Sequence, residues 1–158
     1  MIEVLPVAVG DPEVVALLSA LTADLAVAGY TAEQTFGYSA EQLQRANVHM
    51  VGARVDGGLR GIGGLELQDG GVGELKRFFV TREYRGTGLA DALLDALFDH
   101  ARAHGLEVMR LETGDKQHAA IAFYRRRGFV EVPRFGPYRD SETSFCMEQR
   151  LAGRDTDR

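Results

Sequence analysis

A basic turn with two glycines, placed between an apolar stretch and a helix start, is the segment best suited to bind an anion. The apolar stretch ends near Val80, and Arg85-Gly86-Thr87-Gly88 leads into an apolar stripe that begins at Leu89. The first backbone N–H groups of a helix lack intrahelical acceptors and carry the positive end of its dipole. The segment therefore predicts a phosphate site, although an ordinary connection with solvated arginines would have the same composition.

A dinucleotide site is the alternative for the same turn. Gly86-Thr87-Gly88 before a helix is compatible with a nicotinamide-cofactor turn, and Glu112 follows at a suitable distance. However, Asp91 occupies the position where that fingerprint has a third small residue. The apolar stretches before the turn also follow one another without intervening helices. NAD binding is therefore the weaker interpretation.

Two segments, 85–90 and 117–129, together resemble a known family. Arg85-x-x-Gly88-x-Ala90 is similar to the Q/R-x-x-G-x-G/A motif of the GNAT superfamily of N-acetyltransferases. Gln117-x-x-Ala120-x-x-Phe123-Tyr124-x-x-x-Gly128-Phe129 is similar to the family's N-x-x-A-x-x-L/F-Y-x-x-x-G-F segment, with glutamine in place of asparagine. Residues 74–77, 111–114 and 135–138 resemble a bacterial small-domain subgroup whose acceptors are undefined.

The resemblance implies that the chain binds acetyl-CoA. In the family, amides of the glycine turn cradle the pyrophosphate, and amides of the preceding strand receive the pantetheine arm and the thioester oxygen. The residues expected to bind the coenzyme are Phe78, Phe79, Val80, Arg85, Gly86, Thr87, Gly88, Leu89, Ala90 and Gln117.

Acyl transfer to an amine requires a base for the ammonium and an acid for the departing thiolate. By position in the family, Glu74 is the expected base and Tyr124 the expected acid. Glu112 and a water molecule remain alternatives to Glu74. A phenol is protonated at neutral pH and can therefore donate.

The acceptor pocket of this fold is built by the loop after the first helix and by the segment after the second motif. Aromatic residues in both segments suit a primary amine of a small molecule, an amino acid or a peptide. The residues expected to bind the acceptor are Tyr38, Arg77, Glu112 and Tyr138. A catalytically inactive acyl-CoA-binding or regulatory module of the same fold is the alternative function.

Composition limits the other classes. The chain has 158 residues and a net charge of −5, which argues against nucleic-acid binding. One cysteine, the lack of a basic leader and the lack of a long apolar run favour a cytoplasmic protein without a membrane segment. His100 and His104 have metal-like spacing, but without an evident third ligand we predict no metal site. Homodimers are common in the family, so a homodimer remains open.

The order of apolar segments predicts one α/β (α+β) domain over residues 1–151, followed by a charged, frayed tail over 152–158. Hairpin-like strands 48–55, 59–67 and 72–80 predict an antiparallel meander. The expected fold is GNAT-like: a mixed, mostly antiparallel sheet of about six to seven strands, flanked by about four helices.

Overall fold

The computed structural model describes residues 1–151, which form a seven-stranded sheet and four α-helices. The strands are β1 (Glu3–Pro6), β2 (Val48–Val55), β3 (Gly58–Gln68), β4 (Val72–Val80), β5 (Val108–Gly114), β6 (Val130–Glu131) and β7 (Ser144–Arg150). The helices are α1 (Pro12–Val27), α2 (Ala40–Arg45), α3 (Leu89–Ala103) and α4 (His118–Arg126). The predicted fold class is confirmed. The predicted tail, 152–158, lies outside the described residues, and the single-domain boundary stays a prediction.

The strand order in the sheet is β1-β2-β3-β4-β5-β7-β6. Every neighbouring pair is antiparallel except β4 and β5, which run parallel. Asp56 and Gly57 join β2 to β3 with φ values of 52° and 79°. Two left-handed residues in succession match the twist of the flanking strands, which explains why an Asp-Gly pair forms this hairpin.

The helices cover both faces of the sheet. On one face, α1 and α2 pack Leu18 and Leu43 against Ile62. On the other, the leucine stripe of α3 is buried, and Gly61 lets it approach closely, since a Cβ there would lie 2.6 Å from Leu89. None of the helices in residues 1–151 combines the length and apolarity needed to cross a bilayer.

A separation of β4 from β5 creates room for a site at the centre of the sheet. Their ladder pairs only Val72–Glu74 with Val108–Arg110, so the rest of β4 has no ladder partner on that side. On its other side, the register with β3 shifts between Ile62 and Gly64, beside Arg77, whose φ is 53°. Such bulges bend a strand and redirect its side chains, often next to active sites.

Candidate active site

A cavity of about 470 Å3 lies between the separated strands. The connection between α1 and α2, strand β4, the turn before α3, the end of β5 and helix α4 all contribute to its wall. The lining includes Gly86 and Ala90 from the turn and the aromatic side chains Phe36, Tyr38 and Tyr138. The predicted anion site and the predicted acceptor residues therefore share one cavity.

The turn before α3 presents unused backbone donors. In the part of the chain that the structure describes, the N–H groups of residues 86 to 90 donate no hydrogen bond. Gly86 and Gly88 have φ values of 77° and 88°, which favour glycine because it lacks a Cβ. Together with the positive end of the α3 dipole, these donors form a site with the chemistry that a phosphate requires.

Arg85 shapes this turn through contacts with two elements. Its Nε donates to the Val80 carbonyl at 2.9 Å, and its guanidinium pairs with Asp24 of α1 at 3.1 Å. Thr87 Oγ1 donates to the Tyr84 carbonyl at 2.5 Å, and the Leu89 side chain is fully buried in the core. The side chains of these three residues are thus engaged by the protein.

The predicted residues of β4 line the cavity at its centre. Phe78, Phe79 and Val80 all contribute to the lining, and the last two side chains are buried. Gln117 caps the start of α4 without a side-chain hydrogen bond to the backbone, and it also lines the cavity. The structure therefore brings Gln117 and these β4 residues to the same opening.

Tyr124 lies on the α4 wall, with its ring 6.1 Å from that of Phe78. Only 7% of the residue is exposed, and burial raises the pKa of its phenol above the ordinary value. Among residues 1–151, no side chain or backbone group hydrogen-bonds to its hydroxyl. Tyr124 therefore has a protonated, unengaged hydroxyl at the cavity wall.

Glu74 does not contribute to the lining of this cavity. It is 3% exposed, and its carboxylate accepts hydrogen bonds from the Tyr138 hydroxyl at 2.6 Å and from Gln68 Nε2 at 2.9 Å. The Lys76 ammonium lies 3.0 Å away and is also buried. Glu74 is thus enclosed by partners, and its assignment as the base stays a prediction that this geometry does not favour.

Glu112 lines the cavity from β5. Burial, with a contribution from the nearby Glu74 charge, raises its pKa from 4.5 to about 7. A hydrogen bond from Ser144 Oγ to its Oε2, at 2.6 Å, acts in the opposite direction. A carboxylate with a pKa near neutrality can both take up and release a proton at physiological pH.

The remaining residues predicted to bind the amine acceptor are Tyr38, Tyr138 and Arg77. The two tyrosines contact Lys76, and Arg77 follows Lys76 on β4. The Lys76 ammonium lies 4.2 Å from the centre of the Tyr38 ring and donates to the Tyr138 hydroxyl at 3.2 Å. Burial and a hydrogen bond to Glu66 raise the pKa of Tyr38 to about 12. Arg77 lines the cavity and donates to Thr22 and to the Leu18 carbonyl of α1.

Arg77 lacks a carboxylate partner in residues 1–151, unlike Lys76 and Arg85 of the same cavity. Its Nε is buried without an acceptor, and desolvation lowers its pKa. A partly buried guanidinium without a counter-ion is costly, since the charge has lost water without gaining an opposite charge. The Arg77 environment is therefore suited to a ligand that brings a negative charge.

Sequence reasoning missed Ser144 and the burial of Lys76. Ser144 is a small residue at the start of β7, and nothing in its local sequence distinguishes it from a surface serine. Lys76 lies in a strand where lysine usually faces water. The position of Ser144 beside Glu112 and that of Lys76 beside Tyr138 both depend on contacts between residues more than 30 positions apart in the sequence.

Two histidines at the C-terminal end of α3 pack with a third histidine. The His100 ring stacks on His49 of β2 with centroids 3.7 Å apart, and His104 Nδ1 lies 2.9 Å from the His100 carbonyl. Across residues 1–151, no three His, Cys, Asp or Glu side chains are arranged to hold a metal ion. Cys146 is buried in β7.

Comparison with known proteins agrees with this architecture. The sequence model described as Acetyltransferase (GNAT) family matches residues 17–129. An IAA acetyltransferase of Azospirillum brasilense is 37% identical over 123 residues, which cover 77% of this chain and 80% of that protein.

Solved structures give the same result for the fold. A Klebsiella pneumoniae protein described as an acyl-CoA N-acyltransferase superposes with a TM-score of 0.81 at 33% identity, covering 96% of this chain and 99% of that one. The PaiA N-acetyltransferase of Thermoplasma acidophilum, solved with coenzyme A, superposes with a TM-score of 0.77 at 20% identity, covering 95% and 99%. This chain therefore belongs to the GNAT acetyltransferase family, a class of acyl-CoA-dependent acyltransferases.

Proposed function

We propose that this protein is an N-acetyltransferase that transfers an acetyl group from acetyl-CoA to a primary amine of a small molecule, amino acid or peptide. Transfer occurs by direct attack while both substrates are bound. One observation carries the proposal: a single cavity contains unused backbone donors near Gly86, an unengaged Tyr124 hydroxyl and the Glu112 carboxyl. These groups correspond to the binding, acid and base functions that acyl transfer requires.

The residues around the glycine turn fit the coenzyme. The amides of residues 86 to 90 would hold the diphosphate, and the unpaired side of β4 at Phe78 to Val80 would hold the extended arm. The Gln117 side chain would donate to that arm from the start of α4. Bound acetyl-CoA supplies the acetyl group as an activated thioester.

Glu112 is the better candidate for the base than Glu74. A base must lie within hydrogen-bond reach of the proton it removes, or reach it through one water molecule, and Glu112 lines the cavity whereas Glu74 does not. Its pKa of about 7 also suits proton transfer near neutral pH. Glu74 instead holds Lys76 by an ion pair and Tyr138 by a hydrogen bond.

Tyr124 supplies the acid function. Its phenol remains protonated across the physiological range because burial raises its pKa. Its hydroxyl has no competing partner within residues 1–151, so it is free to donate to the thiolate that departs. The neighbouring Phe78 ring packs edge-on against the Tyr124 ring and limits the access of water to that wall of the cavity.

The acceptor carries a carboxylate close to its amine. Arg77 lines the cavity and has no carboxylate partner in residues 1–151, whereas Lys76 is already neutralised by Glu74. Tyr38 and Tyr138 supply flat apolar walls with polar tips. An amino acid, or a small amine with an acidic group, meets both requirements.

Release of free thiol from acetyl-CoA tests the proposal. The acceptor panel contains amino acids, their carboxamides, polyamines, peptides and IAA, the last because a 37% identical relative is named for it. We expect thiol release with at least one amine and a strong loss in Tyr124→Phe. Calorimetric binding of coenzyme A without thiol release with any acceptor would support the inactive module instead.

The cytoplasmic location stays a prediction, which fractionation of cells would check.

A further inference from the structure

Ser144 has two hydrogen-bond acceptors for a single hydroxyl proton. Its Oγ lies 2.6 Å from Oε2 of Glu112 and 2.9 Å from Oγ of Ser141. The residue is only 5% exposed, so these protein groups are its immediate partners. A serine hydroxyl can donate once and accept twice, and it rotates to suit its neighbours. Ser144 can therefore donate to Glu112 when that carboxyl is ionised, or to Ser141 when Glu112 is protonated.

Ser144 also separates two different openings of the molecule. Glu112 lines the cavity between β4 and β5, whereas Ser144 lines a second depression of about 540 Å3 with Arg134 and Glu142. From Ser144, hydroxyls continue to Ser141 and then to Thr143, whose Oγ1 lies 3.4 Å from that of Ser141. Both of these residues are partly exposed. A line of hydroxyls thus joins the buried carboxyl to a second solvent-facing side.

We propose that Ser144 positions the Glu112 carboxylate and passes the acceptor's proton outward through the partly exposed Ser141 to solvent. The inference rests on the proposed function. The acceptor ammonium gives one proton to Glu112 Oε2, leaving a neutral amine and a carboxylic acid. That acid then donates to Ser144 Oγ while the Ser144 proton turns to Ser141 Oγ, and Ser141 releases its own proton to water. Glu112 is returned to its ionised form, and one proton has left the site.

The route through Ser144 has a physical reason. When both substrates fill the cavity, a proton on Glu112 has no water on that side to receive it. The titratable groups that face Glu112 are Glu74 and Lys76 on β4, Tyr138 before β7 and Cys146 on β7. Lys76 is paired with Glu74, and Tyr138 already donates to Glu74. Ser144 is the partner left to exchange hydrogen bonds with Glu112.

The positioning part is tested by titrating the Glu112 carboxyl carbon by NMR in Ser144→Ala and Ser144→Thr. Loss of a hydrogen bond to the charged form should raise the titration midpoint by about one pH unit in Ser144→Ala. The pKa seen in the pH profile of kcat should move to higher pH by the same amount. Ser144→Thr keeps the hydroxyl and should restore both. An unchanged midpoint in Ser144→Ala would overturn the positioning role, and this readout does not depend on finding the acceptor.

The outward route is tested by Ser141→Ala. This change leaves the bond between Ser144 and Glu112 intact, so the Glu112 midpoint should remain that of the parent chain. kcat should nevertheless fall about tenfold, less than the 10²- to 10⁴-fold that a group in direct proton transfer with the substrate contributes, and the solvent deuterium isotope effect on kcat should increase. Ser19→Ala, an exposed serine of α1, is the matched control. A parent-like kcat and isotope effect in Ser141→Ala would overturn the route. Absence of thiol release in the parent chain would instead reject the proposed function.

Discussion

The Lys76 ammonium lies 3.0 Å from the Glu74 carboxylate, and both side chains are less than a tenth exposed. Two residues apart on one strand, they share a face of β4, so the pair forms within the strand itself. The Tyr138 hydroxyl, from the segment before β7, bonds to both. This buried network borders the cavity, because Lys76 and Tyr138 also line it.

Lys76→Met should destabilise the fold by roughly 3–5 kcal/mol, since it leaves Glu74 charged and buried without a counter-ion. Urea unfolding measures this change. Arg102→Ala is the control, because Arg102 pairs with Asp99 at 3.9 Å on the surface and should contribute less than about 1 kcal/mol. The double variant Glu74→Gln/Lys76→Met should recover part of the loss. Equal costs for Lys76→Met and Arg102→Ala would contradict a buried ion pair.

Glu112 should make stability depend on pH in the opposite sense to an ordinary surface carboxylate. Its pKa rises from 4.5 to about 7 on folding, so the folded state binds its proton more tightly. The resulting stabilisation is complete below pH 4.5 and is lost as the pH rises through 7. Glu112→Gln removes this dependence. Each unit by which the pKa is raised corresponds to about 1.4 kcal/mol in the free energy of unfolding.

Thermal or urea unfolding of Glu112→Gln and the parent chain across pH 4.5 to 8.5 would measure the difference. The variant should gain stability relative to the parent as the pH increases and level off above about 7, where Glu112 is ionised. Glu148→Gln, a partly exposed carboxylate of β7, is the matched control. A constant difference between Glu112→Gln and the parent at every pH would contradict the raised pKa.

Much of the fold could be predicted because its signals are local. The Asp56-Gly57 turn and the leucine stripe of α3 both appear in the structure as the sequence indicates. Each depends on backbone preferences or on apolar spacing within a few residues. The end of β2 and the start of β4 follow for the same reason, since a glycine turn marks each of them.

The site could be predicted only in part because its electrostatics are set by distant partners. Glu74 and Glu112 have the same local sequence signal. Only their contacts in the folded protein show that Glu74 is enclosed in an ion pair and that Glu112 lies at the cavity wall. The left-handed Arg77 likewise arises from the register shift against β3, which no residue of β4 indicates. The turn from Arg85 to Ala90 was easier to recognise because glycine spacing reflects its backbone shape.

Gly88→Ala should weaken coenzyme binding about tenfold. A Cβ at φ = 88° strains the turn by about 1 kcal/mol and displaces the amides that would hold the diphosphate. Gly105→Ala provides a matched control, because Gly105 has a similar φ of 70° but follows the far end of α3, away from the turn that would hold the diphosphate. Calorimetry with coenzyme A should show loss in the first variant alone. Equal affinities for the two variants would argue against binding at this turn.

Arg77→Met should reduce kcat/KM selectively for acceptors that carry a carboxylate. The guanidinium would pair with that group, and loss of one charge-assisted contact corresponds to about 10- to 100-fold. The comparison is between an amino acid and its carboxamide, assayed by thiol release on both proteins. Arg82→Met, an exposed arginine before the turn, is the control for lost positive charge. A similar loss for the acid and the carboxamide would mean that Arg77 supports the fold of β4 instead.

Tyr124→Phe should lower kcat by about 10²- to 10⁴-fold, the usual contribution of a positioned proton donor. Its ring packs against Phe78, Phe123 and Phe129, so the variant keeps the apolar contacts and loses only a hydroxyl that has no partner within residues 1–151. Stability and coenzyme affinity should therefore change little. When an activated aryl thioester replaces acetyl-CoA as the acetyl donor, Tyr124→Phe should lose far less rate. The aryl thiol that departs is more acidic than coenzyme A, so its thiolate leaves without protonation. A uniform loss with both donors would remove Tyr124 from the acid role.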